Sequence, residues 1–95
     1  MPRIDISERA HRDLDAIWQY SFKQWSNAKA DEYYLAIRDK LRAALADPES
    51  GLPVEIRPGC RKLLSGSHII YYRPVADGIE IIRVLHQSMD VRRHL

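Results

Sequence analysis

The most apolar stretches of the chain are residues 67–73 and 79–85, and together they predict a β-hairpin. Both runs are rich in β-branched and aromatic residues, and nearly every position is apolar instead of every second one. This pattern is typical of central strands that are covered on both faces, or on one face with a partner on the other. Asp77-Gly78 between the runs predicts a two-residue turn, because both residues tolerate positive φ. That turn sets three cross-strand pairs: Ala76 with Ile79, Tyr72 with Arg83, and Ile70 with Leu85.

The first half of the chain follows the helical period. Residues 3–6 alternate and predict a short strand, after which Ser7 is a good N-cap for a first helix of about five turns. Asn27 is the N-cap candidate for a second helix of similar length, which ends at Asp47-Pro48 because proline cannot continue a helix. The short link between them predicts a helical hairpin. The apolar stripes contain Ala10, Leu14, Ile17, Trp18, Ser21 and Trp25 in the first helix and Ala30, Tyr33, Tyr34, Ile37, Leu41, Ala44 and Leu45 in the second.

The remaining elements complete an α+β fold. A loop over residues 48–59, a strand over residues 60–64 and a turn at Ser65-Gly66 lead into the hairpin, and a short turn or helix follows from Gln87. The predicted order is β-α-α-β-β-β, with the helical hairpin packed on one face of a mainly antiparallel four-stranded sheet. The other face carries Tyr, Arg and His side chains and is expected to meet solvent or a partner. The core is expected to contain Leu14, Ile17, Trp18, Ile37 and Leu41.

Composition narrows the class of protein. Ninety-five residues, 45% of them hydrophobic, predict one globular domain over residues 1–95. The chain lacks an apolar run of the roughly 18 residues that span a bilayer, and its N-terminus does not resemble a signal peptide. Cys60 is the single cysteine, which excludes an internal disulfide and a cysteine metal cluster. A cytoplasmic location is therefore expected.

Charge is distributed unevenly. The formal net charge is +2, yet residues 57–95 contain seven Lys or Arg and three Asp or Glu, whereas residues 1–56 contain eight and ten. The sheet half is thus the basic half, and a basic surface attracts nucleic acid or an acidic protein segment.

Three segments resemble ParE toxins of the RelE/ParE superfamily: RPGCR at 57–61, SHIIYYR at 67–73, and IIRVLHQSMDVRRHL at 81–95. Residues 10–14 and 17–20 also fit, so the resemblance covers almost the whole chain. It implies the β-α-α-β-β-β fold and a role as the toxin of a type II toxin–antitoxin pair. Such toxins bind and block DNA gyrase, and a ParD-type antitoxin neutralises them through a flexible C-terminal segment. They are inhibitors and not enzymes, use no cofactor, and meet DNA only through the antitoxin or gyrase.

The ribonuclease branch of the same superfamily is the alternative, and it cleaves messenger RNA on the ribosome. Cleavage needs positive charge for the phosphate and groups that move protons. Where the RelE-like branch has two arginines and a tail tyrosine, alignment with this chain gives His68, Gln87 and Arg93, and no tyrosine follows Tyr72. This pattern indicates loss of that active site. His86 with Arg83 remains a second arrangement that can do acid–base work, or the two residues simply hydrogen-bond and form a salt bridge.

Other candidates each have a structural alternative. A metal site formed by His68, His86 and His94 is disfavoured, because their separations match no metal-binding spacing. Trp18, Trp25, Tyr33 and Tyr34 can stack on bases, but their helical spacing favours core positions. Met89-Asp90 either begins a tail that contacts the target or caps the core.

A set of mainly basic and polar residues is predicted to contact gyrase or the antitoxin, although a solvated basic face is the plain alternative. The set consists of Arg57, Arg61, Lys62, Tyr72, Arg83, His86, Met89, Arg92 and Arg93. No catalytic, cofactor-binding or metal-binding residue is assigned.

Overall fold

The computed structural model describes residues 2–95 and has two layers, three helices and a five-stranded sheet. The elements are β1 (Arg3–Ile6), α1 (Glu8–Gln24), α2 (Asn27–Ala46), β2 (Leu52–Pro53), β3 (Arg61–Ser65), β4 (His68–Val75), β5 (Gly78–His86) and α3 (Val91–His94). The strands lie in the order β1-β5-β4-β3-β2. β1 runs parallel to β5, and the other neighbours are antiparallel. The predicted α+β architecture is confirmed, with β2 as a fifth strand inside the segment predicted to be a loop.

Both long helices begin at serine N-caps. The Ser7 side chain accepts the N–H of Ala10, and the Ser26 side chain accepts the N–H of Lys29. Such bonds satisfy backbone donors that have no partner within the helix. The prediction of Ser7 is confirmed. The prediction of Asn27 is wrong by one residue, because Ser26 takes the cap and Asn27 is the first helical residue.

The main core lies between the helices and one face of the sheet. Its buried members are Ala10, Leu14, Ile17, Ile37, Leu41, Ala44, Ile70, Tyr72, Ile79, Ile81 and Val84. Trp18, Trp25 and Tyr34 remain 37%, 43% and 39% exposed, so the prediction that they are core residues is wrong.

The opposite face of the sheet is partly covered. Val54, Cys60, Tyr71 and Leu85 form a second buried cluster, against which Val91 and Leu95 of the C-terminal segment pack. The expectation that this face is open is therefore wrong at its centre. The short helix α3 covers apolar surface that a four-stranded sheet would leave in water.

The β4–β5 register differs from the predicted one. Val75 pairs with Gly78, so the turn residues are Ala76-Asp77, and Tyr72 lies opposite Ile81 instead of Arg83. A bulge at Ile82 then shifts the register by one residue, because Tyr71 pairs with Arg83. Gly78 has no positive φ, and a Cβ built there lies 1.8 Å from the carbonyl oxygen of Arg3. Gly78 is thus required for the close approach of β1 and not for the turn.

Candidate binding groove and basic surface

A groove of about 400 Å³ opens between α1 and the end of the β4–β5 hairpin, and we call it the α1–β5 groove. It is lined by Asp13, Ala16, Ile17, Tyr20, Ser21, Trp25, Tyr33, Ser67, His68, Val84, His86 and Met89. Tyr20 is 63% exposed and Met89 48% exposed, so large apolar side chains at its rim are open to solvent. Exposed apolar surface in a concave site is typical of a place where a partner binds.

Tyr33 of α2 connects the helical layer to the floor of this groove. Its hydroxyl oxygen accepts the N–H of Ser67 at 3.2 Å and lies 2.6 Å from Nδ1 of His68. The same hydroxyl donates to the carbonyl of Ser65 at 3.2 Å. The short contact between the Tyr33 hydroxyl and Nδ1 fixes the orientation of the His68 ring.

His68 and His86 are direct cross-strand partners and share the groove floor. Their ring centroids are 5.3 Å apart with the ring planes at 88°. Nδ1 of His86 accepts the N–H of Ser88 at 3.1 Å. Burial lowers the pKa of His68, and the adjacent His86 lowers it further. Both rings are thus held in place by local hydrogen bonds on Nδ1.

Asp13 joins α1 to the sheet at the end of β1. Its two carboxylate oxygens accept Nε and Nη2 of Arg83 at 2.8 and 2.9 Å, and Oδ2 also accepts the N–H of Val84 at 2.9 Å. The third guanidinium nitrogen of Arg83 donates to the carbonyl of His94 at 3.1 Å. Since the Arg83 side chain is only 11% exposed, it cannot hold a phosphate or contact a partner without breaking this pair. The guanidinium of Arg83 thus has a structural role, and its contact with a partner stays a prediction.

The groove is better suited to an apolar side chain than to a phosphate. Among residues 2–95, no lysine or arginine lines it, and its carboxylate is already paired with Arg83. An anionic transition state needs preorganised positive charge. The aromatic rings and imidazoles provide apolar area and single polar atoms, which is the composition of a pocket for a side chain.

The structure also places Tyr72 outside any contact surface. It is fully buried, its hydroxyl donates to the carbonyl of Pro48, and it accepts the N–H of Gly51, both at 2.9 Å. Tyr72 therefore anchors the loop after α2 to the sheet. The prediction that its side chain contacts a partner is corrected on that ground.

The remaining basic residues lie at two places. Arg61 of β3 uses Nη1 to bind the carbonyls of Glu49 and Gly51 at 3.0 and 2.7 Å, which ties it to the same loop. Arg57 is exposed, and Lys62 is half-buried.

The second place is the C-terminal segment. Arg92 and Arg93 of α3 are exposed, and Arg93 lies 4.0 Å from the carboxylate of Asp90. The C-terminal pair is thus the part of the predicted basic surface most available to a partner.

A metal ion would need a third ligand beside the two histidines. His68 and His86 are brought together, but within residues 2–95 no group of three His, Cys, Asp or Glu side chains could hold a metal ion.

Sequence reasoning missed several groove residues. Trp25 and Tyr33 follow the helical stripes and Tyr20 lies beside them, so spacing alone does not separate them from core residues, and Asp13 carries no sequence signal. The His68–His86 pair was missed because the predicted register places His68 opposite Gln87. A correct turn together with the Ile82 bulge brings the two histidines opposite each other.

Comparison with known proteins decides the family. The family model for the ParE toxin of the type II toxin–antitoxin system, parDE, matches residues 4–91. The chain belongs to the ParE toxin family. The ParE family resemblance inferred from residues 57–61, 67–73 and 81–95 is thereby confirmed.

Two curated ParE relatives match along nearly their whole length. Toxin ParE1 of Caulobacter vibrioides is 44% identical over 91 residues, which cover 95% of this chain and 94% of the relative. Toxin ParE1 of Mycobacterium tuberculosis is 40% identical over 95 residues, covering 98% and 97%.

A solved structure supports the fold. A chain described as the chromosomal ParDE TA system from P. aeruginosa superposes with a TM-score of 0.76 at 24% identity, covering 90% of this chain and 96% of that one. Within residues 2–95 of this chain, none of the helices is long and apolar enough to cross a membrane.

Proposed function

We propose that this ParE-family toxin arrests growth by binding DNA gyrase and that a ParD-type antitoxin neutralises it. The observation that carries the proposal is the α1–β5 groove, which exposes Tyr20, Trp25 and Met89 and offers no free cation among residues 2–95. Such a surface favours binding over cleavage. The toxin is inferred to act in the cytoplasm as a single domain over residues 1–95, without a cofactor, and to meet DNA only through its partners.

The antitoxin is proposed to lay an amphipathic segment along this groove. An amphipathic helix binds a groove through apolar anchors spaced three and four residues apart. Aromatic rings at the rim give such anchors a large contact area, and truncation of a central aromatic contact costs about 2 kcal/mol or more, which is roughly thirtyfold in Kd.

Substitutions at the rim test the antitoxin part of the proposal. Trp25→Ala is expected to weaken binding of the purified cognate antitoxin about thirtyfold by calorimetry. The matched control is Phe22→Ala, since Phe22 is 44% exposed near the end of α1, which Trp25 caps, and stacks on Trp18 outside the groove. Equal effects of the two substitutions would contradict the assignment of the groove.

Purified gyrase tests the target. The toxin alone is expected to inhibit supercoiling and to trap cleaved DNA in a gyrase assay, and addition of antitoxin is expected to reverse both effects. Unimpaired supercoiling at a toxin excess over gyrase would refute gyrase as the target.

A ribosome-dependent messenger RNA endonuclease is the second candidate, and the His68–His86 pair beside Tyr33 favours it. Two imidazoles in one groove can supply an acid and a base. This reading predicts translation arrest that His86→Ala abolishes. Continued protein synthesis during growth arrest would rule it out.

A further inference from the structure

Arg83 joins the helical layer to the C-terminal helix on the opposite face of the sheet. Its Nε and Nη2 donate to the carboxylate of Asp13 in α1 at 2.8 and 2.9 Å, and its Nη1 donates to the carbonyl of His94 in α3 at 3.1 Å. The side chains of the ion pair are largely buried, with 11% of Arg83 and 14% of Asp13 exposed. A bidentate pair of this kind holds a guanidinium in one orientation. The same guanidinium therefore fixes α1 and α3 relative to β5.

The ion pair lies at the point where β5 is no longer paired with β1. The pairing of the two strands ends at Ile6 with Ile81, two residues before Arg83. Beyond that point, the Asp13 carboxylate accepts the N–H of Val84 at 2.9 Å. Asp13 is thus held by the backbone of β5 as well as by Arg83, which makes it a firm attachment for the guanidinium.

The C-terminal segment, residues 87–95, is attached to the sheet at its start and near its end. At its start, the N–H of Gln87 donates to the carbonyl of Ser67 at 2.9 Å. Near its end, the carbonyl of His94 accepts Nη1 of Arg83. A helix as short as α3 is not stable alone, so its position depends on contacts of this kind with the sheet.

Arg92 and Arg93 lie between these two attachments. Both are exposed, whereas Val91 and Leu95 of the same helix pack against the second cluster. Two cations on a fixed backbone bind an acidic surface with a smaller loss of conformational entropy than the same cations on a free tail. The contacts of Arg83 thus preorganise the two exposed arginines.

We propose that Asp13 and Arg83 are positioning residues for the target: they hold the C-terminal segment in the place from which Arg92 and Arg93 contact gyrase. The ion pair acts from inside the toxin, through the carbonyl of His94. This inference rests on the proposed binding of gyrase, and it adds the residues that set the geometry of the contact.

Amide hydrogen exchange of the purified full-length toxin tests the positioning without a partner. Asp13→Asn keeps the shape of the side chain but removes its charge and one acceptor. It is expected to speed exchange at least tenfold at the amides of Arg93 and Leu95, which are bonded within the segment. Glu80→Gln is the matched control, since Glu80 forms a 2.6 Å ion pair with Arg73 on the same hairpin, nearer its turn. Unchanged exchange at both amides in Asp13→Asn, or an equal rise in Glu80→Gln, would overturn the inference.

Inhibition of purified gyrase gives a readout that a purely structural role would not produce. Asp13→Asn alone and Arg92→Glu with Arg93→Glu are each expected to raise the toxin concentration needed for half inhibition about tenfold. Because both changes act on the same contact, all three substitutions together are expected to raise it about tenfold and not about a hundredfold. A loss of about a hundredfold would show that the effects are independent, and it would overturn the inference.

Arg83→Lys keeps the inference testable if the Asp13→Asn chain does not fold. Lysine retains the charge beside Asp13 but lacks the planar fork that reaches both the carboxylate and the carbonyl of His94. Exchange at Leu95 is expected to rise at least tenfold in this variant, and unchanged exchange would contradict the role of Arg83. A parent toxin that does not inhibit gyrase would refute the proposed function, whereas the exchange rates decide whether the ion pair holds the segment.

Discussion

The carboxylate of Asp13 shows how much of this fold depends on one polar side chain. It accepts two hydrogen bonds from Arg83 and one from the backbone N–H of Val84. Val84 lies beyond the part of β5 that pairs with β1, so Asp13 provides an acceptor that the strand does not. Its partners lie 70 and 71 residues later in the chain. In sequence, Asp13 is one more polar residue beside a helical stripe. Pairs at this separation carry no local pattern, which is why the ion pair could not be predicted.

Protonation of the single residue His68 is expected to make the stability of the fold depend on pH. Burial and the neighbouring His86 lower its pKa in the folded chain, so the unfolded chain takes up the proton more readily. The stabilising effect of a neutral His68 is complete above about pH 6.5, the usual histidine pKa, and is lost as the pH falls through the lowered folded value. Urea unfolding between pH 7.5 and 5 is therefore expected to show a fall in stability that His68→Asn reduces.

His11 provides the control for that experiment, because it is exposed on α1 and lies outside the α1–β5 groove. His11→Asn is expected to keep the full pH dependence of the parent. A His68→Asn chain that loses stability between pH 7.5 and 5 as steeply as the parent would contradict this assignment.

At the scale of elements, hydrophobic periodicity predicts which helices and strands form, but not the register in which the strands pair. The helices, β1 and the central hairpin follow from apolar spacing and cap residues, because one buried face imposes that spacing. The predicted hairpin turn lies one residue too late, because Asp77-Gly78 matches the preferred turn sequence while the chain turns at Ala76-Asp77. The glycine is needed by β1, a strand more than 70 residues earlier. Turn statistics contain no information about such a neighbour.

Substitution of Gly78 tests the close approach of β1 to β5. Gly78→Ala places a Cβ 1.8 Å from the carbonyl oxygen of Arg3, so β1 must separate from β5 or the strand must shift. We expect a loss of about 3 kcal/mol in the free energy of unfolding, together with faster amide exchange at Arg3 and Ser7. Chemical denaturation and hydrogen exchange measure the two effects.

Gly59→Ala is the control, because Gly59 has φ +86° and nothing within 4 Å of an added Cβ. It is expected to cost about 1–2 kcal/mol from backbone strain alone and to leave the exchange of Arg3 and Ser7 unchanged. A Gly78→Ala chain that loses less stability than Gly59→Ala would contradict the close-approach argument.

Across the whole molecule, both faces of the sheet bury apolar side chains, but to different extents. One face carries the main core, and the other carries a small cluster that the C-terminal segment covers with Val91 and Leu95. The basic excess of residues 57–95 was read directly from sequence. Its division into anchored residues such as Arg61 and Arg83 and exposed ones such as Arg92 depends on contacts made only in the fold.

This division changes how the tail must be tested. Deleting residues 89–95 is expected to weaken toxicity more than antitoxin binding, but it also uncovers Tyr71 and Leu85 and removes the carbonyl that Arg83 binds. A loss of about 2–3 kcal/mol in stability is expected from that exposure alone, measurable by urea unfolding. Truncation by itself thus combines a lost contact with a weakened fold.

Charge reversal separates the two effects, because Arg92 and Arg93 are exposed and lie outside the second cluster. Arg92→Glu with Arg93→Glu is expected to change stability by less than about 0.5 kcal/mol while reducing gyrase inhibition about tenfold or more. Arg9→Glu with Lys40→Glu makes the same change in net charge elsewhere and is expected to leave inhibition near the parent level. If both double variants inhibit gyrase as well as the parent, the tail acts only as a cover for the sheet, and its basic residues play no part in binding the target.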